Sequence, residues 1–294
     1  MDQAKLKIWF LAARPKTLPA AVGPVLVGSA MAYSEGGFNM LVFLATVVAA
    51  LLIQVGTNFA NDYYDYVKGA DTAGRTGPVR ATQAGLVTPD EMKRAFIVTF
   101  LAALILGCYL VYTGGIAIAV IGIVSILCGI LYTGGPYPLG YIGLGEVFVL
   151  VFFGPVAVGG TYFLQTDSIK ATVILAGLAP GLLATAILVV NNFRDVHTDR
   201  TVGKRTLAVR FGYRFTIIEY ISCIAGACLI PVILCVCAGG HYMCLISLLT
   251  LVPAGRSIRT FLSGPDAAVL NELLADTGKL LAIFCVLFSV GWIL

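Results

Sequence analysis

The stretch Ala171-Thr172-Val173-Ile174-Leu175-Ala176-Gly177-Leu178-Ala179-Pro180-Gly181-Leu182-Leu183-Ala184-Thr185-Ala186-Ile187-Leu188-Val189-Val190 carries no charge. It runs directly into Asn191-Asn192-Phe193-Arg194-Asp195-Val196-His197-Thr198-Asp199. A helix of about 20 apolar residues crosses the hydrocarbon core of a bilayer. The stretch therefore reads as a membrane span over 171–192 that delivers a polar array to one surface. Working outward, further apolar runs fall at 17–34, 40–60, 95–112, 115–133, 144–164, 216–238, 241–262 and 278–294. The fold class predicted is an all-α membrane protein of about nine transmembrane helices. So little chain lies between the spans that residues 1–294 are expected to form one polytopic transmembrane domain.

Composition excludes the alternatives. Charged residues make up 12% of the chain and apolar ones 59%, and mean hydropathy is +0.94. Soluble domains carry about 25% charged residues, so a water-facing surface is not available. Disorder fails on the same numbers. The eight cysteines lie in or beside the spans and read as small apolar packing residues rather than as disulfides or metal ligands. Two histidines exclude a His-rich metal site. The lipid bilayer is the expected surrounding, and no nucleic-acid partner is expected.

The basic residues set an orientation. All of them except Lys170 fall on one side of the nine-span map, in the N-terminal tail, the loops after the second and sixth spans, and the ends flanking the last two spans. By the positive-inside rule that side, with the N-terminus, is cytoplasmic. A bacterial inner or plasma membrane is the expected location. Pro19 and Pro24 within the first apolar run, and a diffuse basic flank, argue against reading residues 1–32 as a cleaved leader.

Acidic residues are scarce, so their clustering is informative. The second span ends Asn58-Phe59-Ala60-Asn61-Asp62-Tyr63-Tyr64-Asp65, with Asp71 beyond it. The sixth ends with Asn191, Asn192, Asp195 and Asp199. On a continuing helix Asn61 and Asp65 share a face with Asp62 at its border, and Asn191, Asp195 and Asp199 form an i, i+4, i+8 stripe. Both arrays end even-numbered spans, so both open to the same side. Lys68, Arg75 and Arg80 follow the first; Lys204, Arg205 and Arg210 follow the second. Bare carboxylates near hydrocarbon are costly. Mg²⁺, held by one or two carboxylates plus phosphate oxygens, would offset them. The pattern points to a divalent-metal and diphosphate site, with the basic residues neutralising a leaving diphosphate. Glu146, a lone carboxylate inside the fifth span, reads either as a buried hydrogen-bond partner or as part of a second subsite. A transporter is the different-class alternative, but transporter sites sit near the bilayer midplane, and these carboxylates lie at one face.

At these residues the chain resembles the UbiA superfamily of intramembrane aromatic prenyltransferases, nearest its 1,4-dihydroxy-2-naphthoate polyprenyltransferase branch. The matching segments are Ala13 to Pro19; Asn61 to Asp71 with Arg75, Gly77-Pro78 and Arg80; Tyr132-Thr133; Gly143 to Glu146; Val151 to Gly154; Asn191 to Asp199; Gly203 to Ala208; and Phe211-Gly212. Lys68-Gly69-Ala70-Asp71 carries the branch resemblance, because benzoate-type members commonly have Asp where Gly69 stands. The resemblance implies helices around a central cavity, closed by cytoplasmic cap loops. It implies transfer of a polyprenyl group from polyprenyl diphosphate to 1,4-dihydroxy-2-naphthoate, with loss of CO₂ and diphosphate, giving demethylmenaquinone. 4-Hydroxybenzoate, homogentisate and chlorin are the alternative acceptors.

Two Mg²⁺ ions would be held by Asn61, Asp62, Asp65, Asp195 and Asp199, assisted by Asp71, Asn191 and Asn192. Asp65, Asp195, Asp199 and Lys68 would be catalytic. Lys68, Arg75, Arg80, Lys204 and Arg205 would face phosphate. Arg14, Lys16, Tyr132 and Glu146 would face the acceptor. Tyr63, Tyr64, Tyr66 and Tyr132 would stabilise an allylic cation through their rings.

Overall fold

The computed structural model describes residues 3–70, 77 and 79–294, and every regular element among them is helical. In chain order the helices are α1 (Gln3–Ala12), α2 (Pro19–Ser34), α3 (Met40–Val67), α4 (Pro89–Leu131), α5 (Gly145–Val151), α6 (Ala157–Thr166), α7 (Ala171–Arg194), α8 (Val196–Thr201), α9 (Leu207–Ala238), α10 (Leu251–Leu262) and α11 (Ala267–Ile293). A π-turn over Phe152–Val156 joins α5 to α6, and a 3₁₀ segment over Tyr242–Thr250 leads into α10.

Local chemistry sets the starts of these helices. Asn39 caps α3 by accepting from the Leu41 and Val42 amides at 2.9 and 3.2 Å. Thr88 and Glu91 close a capping box on α4, with Pro89 in the first turn. Thr206 caps α9. Each such cap contributes about 1 kcal/mol.

Among the described residues seven helices are long and apolar enough to cross a membrane, or eight if Lys5–Thr17 and Pro19–Ser34, bent by 52°, count as one span. This count takes as one span α4, which joins the expected spans 95–112 and 115–133 in 43 residues broken at Gly115 (φ 68°, ψ −160°). A straight helix of that length would reach about 65 Å, twice the hydrocarbon thickness. Phe100, Ala103 and Ile126 share one buried cluster, and Leu110 and Ile118 share another. Residues paired in this way about position 114 belong to a chain that turns back on itself. Only glycine takes that positive φ without strain.

The bundle is built around α7, the most enclosed of the long helices, while α4 is the most exposed. Val173, Ala176, Ala179, Leu183 and Val190 of α7 pack with Val27 and Met31 of α2 and with Phe284 and Phe288 of α11. Large apolar side chains point outward from α4, with Ile105 at 74% and Ile116 at 80% exposure. In lipid that outward face carries no penalty.

Close approach is achieved with small residues. The α5–α6 bend at Gly154-Pro155 lies directly against Gly177 and Gly181 of α7. A methyl at Gly181 would sit 2.5 Å from the Leu150 carbonyl oxygen and 3.0 Å from the Gly154 Cα. Gly181→Leu is therefore expected to destabilise the protein by about 1–3 kcal/mol or more. Thermal unfolding in detergent checks this, with Ile116→Leu on the lipid face as the unchanged control.

Candidate active site

The last turns of α3 and α7 project into one end of a cavity of about 720 Å³. That end is lined by Arg14, Asn61, Asp65, Arg80, Asn191, Asp195, Asp199 and Lys204. The remainder is mostly apolar, with Ile118, Ile121, Phe148 and Phe152 among its walls. Charge at one end and hydrocarbon along the rest is the shape of a site for an amphiphile with an anionic head.

Asp65 is the centre of the polar end and is 1% exposed. Its Oδ2 accepts from Arg80 at 2.9 Å, and its Oδ1 accepts from the Tyr141 hydroxyl at 2.7 Å. Lys204 Nζ stands 3.3 Å from Asp65 and 3.8 Å from Asp199. The ammonium of Lys204, 139 residues from Asp65 in sequence, thus bridges the two arrays. The second array is held by Arg194. Its guanidinium donates to both oxygens of Asp195 at 2.8 and 2.6 Å, to Asn191 Oδ1 at 2.9 Å and to Asn271 Oδ1 of α11 at 2.8 Å.

Several predicted site residues do other work. Asp62 does not line the cavity. Its two oxygens accept from the Ala81 and Thr82 amides, each at 3.1 Å. This fixes the turn that carries Arg80 to Asp65. Lys68 is exposed on the cap rather than in the cavity. It donates to the Thr133 and Gly135 carbonyls at 2.7 and 2.8 Å, tying down the α4–α5 loop. Partial burial, with Lys204 nearby, holds its pKa below the ordinary lysine range against the attraction of Asp65. Arg205 and Lys16 are exposed and outside the cavity lining; the backbone amide of Arg205 donates to the Tyr141 carbonyl at 2.7 Å. Glu146 is buried behind the wall and accepts from Asn192 at 2.8 Å. Tyr63 and Tyr64 pack on Phe96 of α4, and Tyr66 is exposed, which leaves Tyr132 as the predicted tyrosine in the cavity wall. Asp71 and Arg75 lie outside the described residues.

Arg14 lines the cavity from a left-handed backbone conformation (φ 54°, ψ 65°). A non-glycine residue there costs about 1–3 kcal/mol. The turn is held by Asn58, whose amide donates to the Ala13 carbonyl at 2.9 Å. Sequence reading missed Tyr141, Arg194 and Asn58. Arg194 was visible only as one more basic residue beside Asp195, and Tyr141 sits in an irregular loop with no periodicity to read.

The donor set suits a hard cation: carboxylate and amide oxygens only. Yet among the described residues no three His, Cys, Asp or Glu side chains are grouped closely enough to hold an ion by themselves. The set expected from the sequence mixes Asn and Asp with phosphate oxygens, the usual way in which Mg²⁺ is held.

Comparison with known proteins places this site in a family. The model of the UbiA prenyltransferase family matches residues 21–271, and the chain belongs to that family. It is 46% identical over 220 residues to the 1,4-dihydroxy-2-naphthoate octaprenyltransferase of Haemophilus influenzae, covering 72% of this chain and 71% of the relative. Its fold matches a UbiA homolog from Aeropyrum pernix K1 with a TM-score of 0.72 at 13% identity, over 94% of this chain and 98% of that one. It also matches a UbiA homolog from Archaeoglobus fulgidus bound to GPP and Mg²⁺, with a TM-score of 0.64 at 15% identity, over 97% and 99% of the two chains.

Proposed function

We propose that this membrane enzyme transfers a polyprenyl group from polyprenyl diphosphate to 1,4-dihydroxy-2-naphthoate, releasing diphosphate and CO₂ and forming the quinol of a demethylmenaquinone. The observation that carries the reading is the single cavity with both Asn/Asp arrays at its charged end and a long apolar wall. The relative named 1,4-dihydroxy-2-naphthoate octaprenyltransferase supports the acceptor. The resemblance of Lys68-Gly69-Ala70-Asp71 to that branch supports it too.

Asn61, Asp65, Asp195 and Asp199 are the groups that would hold Mg²⁺, two ions per diphosphate, with Asn191 and Asp71 assisting. Bound there, Mg²⁺ supplies charge neutralisation to the diphosphate as it leaves. Arg80 and Lys204, paired to Asp65 in this structure, turn toward the phosphate oxygens, and Arg75 joins them. As the allylic C–O bond breaks, these cations stabilise the negative charge gathering on the leaving group. The apolar wall keeps water from the allylic cation, and the Tyr132 ring faces it. The electron-rich naphthoate ring then attacks, the new C–C bond forms, and the ring regains aromaticity by losing its carboxylate as CO₂. Arg14 pairs with that carboxylate on approach. The arrays and their loops face the cytoplasm, following the basic residues.

The test is product mass. Purified protein, Mg²⁺ and a polyprenyl diphosphate are incubated in parallel with 1,4-dihydroxy-2-naphthoate, 4-hydroxybenzoate and homogentisate. The expected product is the prenylated naphthalene lacking the carboxylate. Prenylation of 4-hydroxybenzoate alone, with its carboxylate retained, would contradict the acceptor and leave the donor chemistry standing.

A further inference from the structure

Glu146 is a carboxylate within a membrane-spanning segment, 6% exposed and absent from the cavity lining. A carboxylate buried at the end of a span requires a partner. Its partner is Asn192, whose Nδ2 donates to Glu146 Oε1 at 2.8 Å. Asn192 does line the cavity.

The consequence lies in which end of the Asn192 amide is left over. With Nδ2 donating to Glu146 Oε1, the planar amide turns its carbonyl to the opposite side. The neighbouring cavity asparagines differ. Asn191 Oδ1 is taken by Arg194 at 2.9 Å, and Asn61 Oδ1 is taken by Thr133 at 2.8 Å. Asn192 Oδ1 has no hydrogen-bond partner among the described residues. On the same wall Leu188 lies one turn back on α7, Phe148 and Val149 come from α5, and the Tyr132 ring and hydroxyl lie against Gly145 beside Leu188. A carbonyl acceptor on a wall that carries aromatic rings suits a flat ring bearing a hydroxyl, and not a diphosphate oxygen, which would itself need a donor.

We propose that Glu146 is a positioning residue that holds the Asn192 carbonyl toward the cavity, where it accepts a hydrogen bond from a ring hydroxyl of the aromatic acceptor. This rests on the acceptor assigned above and names the contact that reads it. Glu146 acts on the acceptor only through Asn192.

The test compares 4-hydroxy-2-naphthoate with 2-naphthoate as competitive inhibitors against the acceptor. Wild type is expected to bind the hydroxylated compound about tenfold more tightly, the worth of one hydrogen bond. Glu146→Leu and Asn192→Leu should each cut that preference below about twofold, and the double variant should lose no more than either alone. Glu146→Gln, which keeps an accepting oxygen, should restore the preference. Donor KM should move by less than about threefold throughout. If Glu146→Leu fails to fold, Asn192→Leu and the wild-type inhibitor pair carry the decision. Equal binding of the two inhibitors by wild type overturns the proposal. So does a full preference in Asn192→Leu, loss of the preference in Glu146→Gln, or a donor KM that rises as much as the acceptor KM. Failure of wild type to bind either naphthoate is a different result, and overturns the acceptor assignment itself.

Discussion

Asp65→Asn is expected to lower kcat by about 10³-fold while the protein still folds. The substitution keeps the size of the side chain and an oxygen for the Tyr141 hydroxyl, which bonds Asp65 at 2.7 Å. What it removes is one negative charge at the point where Arg80 and Lys204 converge. One charge at about 4 Å is worth about 4 kcal/mol at an effective dielectric of 20, and about 1.4 kcal/mol is tenfold in rate. Steady-state turnover of the purified variant, alongside a melting curve, checks it. Retention of more than about a tenth of wild-type kcat would mean that Asp65 is a loop anchor and not part of the diphosphate site.

Arg194→Ala is expected to cost about 3–5 kcal/mol of stability, the range for breaking a buried ion pair. Arg194 is 5% exposed. It donates to Asp195, Asn191 and Asn271, so its loss leaves buried acceptors on α7 and loosens the tie to α11. Arg194→Lys should recover little, because one ammonium cannot reproduce the two parallel bonds to Asp195. Turnover should fall with stability, since Asp195 loses its orientation. Unfolding followed by intrinsic fluorescence in detergent measures the first effect. A near-wild-type midpoint for Arg194→Ala would show that the pair is dispensable to the fold.

Much of the site was legible because hydrocarbon makes charge expensive. In a chain with so few carboxylates, Asp65, Asp195 and Asp199 stood out, and all three line the cavity. Helical spacing failed at Asp62: three residues from Asp65 it is rotated by about 60° from the shared face, enough to spend both oxygens on the Ala81 and Thr82 amides. Lys68 and Arg205 were legible as basic residues but not as loop anchors, because their partners are backbone groups of residues 133–141 that only folding brings near. The turn at Gly115 was legible as two glycines between apolar runs.

The central claim is that two distant arrays make one diphosphate site. Binding of a non-hydrolysable prenyl thiodiphosphate, titrated with and without Mg²⁺, tests it most directly. Wild type should bind only with Mg²⁺. Asp65→Asn and Asp199→Asn should each weaken binding by about 100-fold, and the double variant should be weaker than either by less than about threefold, because residues acting on one bound group are not additive. Fully additive losses, or tight binding that survives either substitution, would contradict it.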